Sequence, residues 1–146
     1  MVSMVVTLHL VVTLHLVAMA LALGGRIIFA LLLYQSLEGG MNAKLEQLER
    51  PLTVAKLADL GLLLALFSGL WLSSLQAITL LDSPWSFKLK VILIALLVID
   101  IGAFHIAQVR VVNHYDVHML PVLKRLNIIA VLLLSGMVFF ATFAMN

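Results

Sequence analysis

The chain contains no cysteine, which excludes disulfides, thiolate metal sites, iron–sulfur clusters and covalent c-type haem attachment. Charge is scarce as well. Asp, Glu, Lys and Arg make up 11% of the residues, against ~25% in ordinary soluble domains. Only three prolines occur in 146 residues, so long helices meet few interruptions. There is no Gly-rich phosphate loop, H-E-x-x-H pair, nucleophile elbow or basic nucleic-acid patch, and no nucleic-acid partner is expected.

What the chain has instead is apolar length. Hydrophobic residues make up 64% of it and the mean hydropathy is +1.18. Four stretches, 4–34, 57–81, 91–109 and 126–145, carry most of that. Each meets the requirement of ~20 largely apolar residues to cross a ~30 Å hydrocarbon core. The fold class expected is all-α, an integral membrane four-helix bundle forming a single domain over 1–146, with the lipid bilayer as first partner. Its helices should run over about 4–34, 54–81, 86–112 and 122–145. No length remains for a separate soluble domain.

Basic residues orient the bundle. The first connection carries Lys44, Arg50 and Lys56, and the third carries Arg110, Lys124 and Arg125. The opposite side has Lys88 and Lys90 alone. The positive-inside rule then places both termini outside. Residues 1–25 hold no Lys or Arg, so the basic n-region of a signal peptide is missing and the first stretch should remain as a membrane helix. In the first connection Gly39-Gly40 reads as a break and Lys44–Arg50 as a short amphipathic helix. Pro51 fits the first turn of helix two, and Asp82-Ser83-Pro84 ends that helix ahead of an interfacial Trp85.

Small residues predict how the helices pack. Gly61, Ala65 and Gly69 recur every four residues in helix two, a spacing that lets backbones approach closely. Ala18 with Ala22, or Ala20 with Gly24, offers a similar face in helix one. That helix opens with a tandem hexapeptide, Val5–Leu10 and Val11–Leu16, each ending in Thr-Leu-His-Leu. Six residues rotate a helix by ~240°, so His9 and His15 point ~120° apart and at most one looks squarely into the core.

Inside the apolar stretches lie His9, His15, Arg26, Asp59, Asp100 and His105. An ionisable group in hydrocarbon costs at least ~2.5 kcal/mol, so such residues face a partner or a functional cavity. His15 and His105 are the candidate cofactor and metal ligands, because neutral imidazole binds iron or copper between bundle helices. The competing reading is an interhelical hydrogen bond. With Arg26 and Arg110 set at one membrane boundary, His15 lies ~9 Å from the level of His105, and Asp100 lies near His15. If helix one instead reaches Tyr34, Arg26 itself falls near Asp100 and the two neutralise each other. A structural ion pair and a propionate-binding or proton-relay role both remain open for that pair. Asp59 can pair with Lys56 on its own helix. His114 and His118 have i, i+4 spacing, metal-compatible on a helix and otherwise an ordinary polar loop. Lys88 and Lys90 read as interface anchors or as cations for an anionic head group or carboxylate.

Leu14-His15-Leu16 followed by Gly24-Gly25, Leu48-Glu49-Arg50, and Gly69-Leu70-Trp71-Leu72 resembles the HemJ-type membrane protoporphyrinogen oxidases, bacterial four-helix proteins of about this length. The resemblance continues through Trp85, Lys88 or Lys90, His105 and Arg125-Leu126-Asn127. CopD-like copper-resistance domains share the His-then-Gly-Gly opening. The resemblance implies a multi-pass protein of the bacterial inner membrane that binds haem b, with His15 as an axial ligand. The family's second ligand is a methionine early in helix two, where this chain has Lys56, Leu57 and Asp59. On this reading the protein is an oxidoreductase passing electrons from a porphyrinogen or quinol, and the candidate catalytic groups are Asp100, Arg26 and Lys90. Two alternatives stand beside it. One is a cofactor-free accessory subunit working with other membrane subunits or with copies of itself. The other is copper handling through histidines and methionines such as Met4 and Met19.

Overall fold

A computed structural model describes residues 2–37, 49–75, 85–114 and 116–143. Four α-helices fill almost all of them: α1 (Val2–Leu37), α2 (Glu49–Leu75), α3 (Trp85–His114) and α4 (Leu120–Phe143). A 3-10 turn, Val117–Met119, joins the last two. There is no strand among the described residues. All four helices are long and apolar enough to cross a membrane. The chain is a multi-pass membrane protein of all-α class, as its composition requires.

The helix ends follow local chemistry. At 36 residues, α1 is ~54 Å long and must tilt or emerge from a ~30 Å hydrocarbon layer. Its only internal glycines, Gly24 and Gly25, lack any proline that would complete a break. Pro51 and Pro121 both fall in the first turn of a helix, where a missing N–H costs nothing. Between α3 and α4, Asp116 starts the turn: its Oδ1 accepts from the His118 amide at 3.2 Å and its carbonyl from the Met119 amide at 3.1 Å. The stretches read as an amphipathic helix at Lys44–Arg50 and as a stop at Asp82-Ser83-Pro84 lie mostly or wholly outside the described residues.

Neighbouring helices are antiparallel. On α1 and α2, His15 meets Gly69, Ala22 meets Gly61, and Gly25 meets Ala58. Gly136 of α4 faces Leu93 of α3. The α1 helix packs on α2 and on α4, and α4 packs in turn on α3. Close approach of α1 and α2 rests on small residues. A Cβ placed on Gly61 would lie 2.8 Å from the Ala22 nitrogen, and one on Gly25 2.7 Å from the Ala58 Cβ. Of the two faces offered by helix one, Ala18 and Ala22 are buried, whereas Ala20 is exposed. A Cβ on Gly24 would meet nothing within 4 Å, and the close contact belongs to Gly25. Packing of this kind replaces the hydrophobic drive that lipid abolishes.

Two apolar layers form the interior. One gathers Phe29, Leu33, Ala55, Phe104, Ala107, Val111, Leu120 and Leu123; the other Ala22, Leu62, Leu97, Ala130, Leu134 and Met137. Between them, in every helix, lies one polar residue: Arg26, Asp59, Asp100 and Asn127. The outer faces are lined with exposed apolar side chains such as Phe67, Leu70, Ile99 and Leu132. In water such surface would aggregate; in a bilayer it matches the solvent.

Candidate functional site

The polar side chains gather at two depths. In the central layer, Arg26 of α1 is buried to 2% exposure and its Nη2 donates to Asp59 Oδ1 of α2 at 2.5 Å. The guanidinium also stacks over the Phe104 ring of α3, 4.5 Å from its centroid. Phe29 supports that ring edge-on at 5.3 Å. From α4, Asn127 Nδ2 donates to the Arg26 carbonyl at 3.0 Å. His105 Nε2 approaches Asp59 Oδ2 at 3.3 Å, a charge contact without hydrogen-bond alignment. Asp100, buried on α3, acts on Arg26 electrostatically. A cation held between a carboxylate and a ring face, with a second carboxylate within electrostatic reach, is balanced on more than one side.

This layer decides between the two depth alignments. Helix α1 runs past Tyr34, and Arg26 sits at the level of Phe104 and Asp59 rather than at that of Arg110. The charge that acts on Asp100 is that of Arg26. Asp59 turns from Lys56, which is exposed, toward Arg26 on the neighbouring helix. Burial explains the preference: an exposed pair is worth at most ~1 kcal/mol, while a buried guanidinium left alone costs several times that.

The second polar group lies beyond the other apolar layer. His15 Nδ1 and Ser68 Oγ are 3.0 Å apart across α1 and α2. The Ser68 hydroxyl already donates to the Leu64 carbonyl at 2.7 Å, with the Ala65 carbonyl at 3.1 Å. Its single proton being used, Ser68 accepts from the ring, which assigns the proton of His15 to Nδ1 and leaves Nε2 with a free lone pair. Gly69 makes room for the imidazole, since a Cβ there would lie 3.2 Å from His15 Cε1. Lys90 of α3 is the cation whose charge reaches the ring.

His15 and His105 are not brought together. Their partners Ser68 and Asp59 are nine residues apart on α2, a rise of ~14 Å. His9 is exposed and its Nδ1 donates to Val5 O of its own helix at 2.8 Å. His114 ends α3 while His118 stands in the 3-10 turn, so they do not share one helical face. Among the described residues, no three His, Asp or Glu side chains gather into a metal-holding set.

Ser68 and the interhelical role of Asn127 are new with the structure. Asn127 was legible as a lone amide in an apolar run, the kind of residue that glues membrane helices. Ser68 gave no such signal, because a membrane serine can satisfy itself on its own helix. No protein-family model matches this chain, and no curated protein or solved structure matches it either.

Proposed function

We propose that this chain is a b-type haem redox protein of the bacterial inner membrane, with His15 as an axial ligand and Lys90 as the cation for a propionate. The observation that carries this reading is the 3.0 Å contact of His15 Nδ1 with Ser68 Oγ, from which the tautomer follows. A ring whose Nδ1–H is held by Ser68 presents Nε2 outward, the arrangement that orients metal-ligating histidines. Gly69, the residue that leaves room for the ring, forms part of the Gly-Leu-Trp-Leu motif on which the HemJ-type resemblance rests.

The donor set favours a porphyrin over a bare ion. Copper or zinc bound by protein alone needs several side chains together, and none gather among the described residues. A porphyrin supplies four nitrogens itself and needs only one or two axial ligands. When bound, haem would supply one-electron chemistry; the protein's own part is to fix the His15 ring, balance an acid group with Lys90 and keep water out. Its donor would be a hydrophobic reductant of the porphyrinogen or quinol type. His105 belongs to the Arg26–Asp59 layer and is not in this ligand set.

Full-length protein purified in detergent after expression with ample haem should show a Soret band and bound iron. A colourless, iron-free protein that also fails to take up added haemin would refute the reading. Gly69→Ala offers a finer check. The new methyl presses on His15 Cε1, so the ring tilts and haem retention should fall by roughly tenfold, about 1.4 kcal/mol. Unchanged haem retention in that variant would separate Gly69 from the ligand.

A second reading, an accessory subunit of a larger membrane complex, is favoured by one observation. His105 is 49% exposed at the depth of a buried ion pair, where a polar ring gains from a neighbouring chain. This reading expects His15→Ala with His105→Ala to leave assembly of the complex intact.

A further inference from the structure

The central layer carries an unbalanced count of charges. Arg26 contributes one positive charge that no protein environment removes. Asp59 of α2 pairs with it, and Asp100 of α3 lies within its electrostatic reach, which makes two carboxylates. Asn127, the contribution of α4, is neutral. The basic groups close to these residues along the helices are exposed: Lys56 one turn from Asp59, Arg110 beyond His105, and Lys124 and Arg125 within a turn of Asn127. With both carboxylates ionised and His105 neutral, the layer holds a net negative charge between two apolar layers, which hydrocarbon surroundings strongly oppose.

Hydrogen bonding shows the same deficit. Among the described residues of this layer, Asp59 Oδ2, Asp100 Oδ2 and Asn127 Oδ1 are buried acceptors without a donor, against Arg26 Nη1 as a buried donor without an acceptor. The layer is short of hydrogen rather than short of oxygen. A proton cures both deficits at once: it removes the surplus charge and supplies a donor.

We infer that the Arg26–Asp59–Asp100 layer is a binding site for one exchangeable proton, delivered through His105. The step is a simple transfer: a proton from water adds to a His105 nitrogen, passes from Nε2 to an Asp oxygen, and returns by the same route. His105 suits the task by position. One side of the ring meets Asp59 Oδ2 at 3.3 Å, and the side chain is half-exposed. On the same face of α3, Ile106, Val109, Arg110 and His114 lead from it to the helix end. Imidazole can take a proton on one nitrogen and release it from the other. The inference does not depend on haem at His15, which lies at a different depth.

The test uses the purified full-length protein at neutral pH, read by infrared absorption for a protonated carboxyl group and by nitrogen NMR of labelled histidine for an imidazolium at His105. The wild type should show one of those two signals. Asp100→Asn leaves Arg26 balanced by Asp59 and should abolish both. His105→Gln, which keeps both carboxylates, should show the carboxyl signal, and its exchange in heavy water should be on the order of tenfold slower than exchange of the wild-type signal. Absence of both signals in folded wild-type protein overturns the inference, as does persistence of either in folded Asp100→Asn. If that variant does not fold, His105→Gln decides alone: a missing carboxyl signal refutes the proton site, and wild-type exchange refutes delivery through His105.

Discussion

Arg26→Met should destabilise the protein by roughly 3–5 kcal/mol, the cost of breaking a buried ion pair from one side. The substitution leaves Asp59 and Asp100 without their shared cation in a layer flanked by apolar side chains. It also removes the cation from the Phe104 ring, an interaction worth ~2 kcal/mol when desolvated. The combination Arg26→Met, Asp59→Leu and Asp100→Leu should recover most of the loss, since an apolar layer of similar volume has no charge to satisfy. Reversible unfolding in mixed detergent measures both variants. If the single variant is as stable as the wild type, the pair is not the buried tie that its geometry describes.

The second large effect separates two adjacent glycines. Gly25→Ala places a methyl 2.7 Å from the Ala58 Cβ and 3.1 Å from its Cα, so α1 and α2 must part. Overpacking of this kind costs ~1–3 kcal/mol. Gly24→Ala meets nothing within 4 Å and should instead gain ~1 kcal/mol from helix propensity. Adding Ala58→Gly to Gly25→Ala removes the closest clash and should restore part of the loss. The same unfolding assay reads all three. Equal behaviour of Gly24→Ala and Gly25→Ala would mean that the α1–α2 contact is not where these distances put it.

The architecture was legible because hydropathy over 20 or more residues admits almost one solution in lipid. Every backbone group must be paired within its own helix, and each of the four apolar stretches coincides with one of the helices α1 to α4 among the described residues. The small-residue stripe of Gly61 and Ala65 was legible for a similar reason, since only close packing explains it in a membrane helix.

Depth was less legible. Setting Arg26 at a membrane boundary is the natural reading of a lone arginine, and it misplaces Asp100 by several residues. The length of α1 corrects it: a helix reaching Leu37 carries Arg26 inward to Asp59 and Asp100. Partner choice was also hidden. Lys56 and Asp59 have ideal spacing on one helix, yet the carboxylate serves a guanidinium 33 residues away in sequence, because burial raises the value of that contact. For His15 the residue was apparent and its proton was not; the tautomer follows from Ser68, whose own hydrogen goes to the Leu64 carbonyl.

The central claim assigns different duties to two histidines: His15 holds a cofactor, and His105 serves the charged layer. Haem content per chain in purified His15→Ala and His105→Ala, measured beside the wild type, tests it most directly. The account predicts loss of nearly all haem from the first and close to wild-type content in the second. Equal retention in both, or loss confined to His105→Ala, would contradict it.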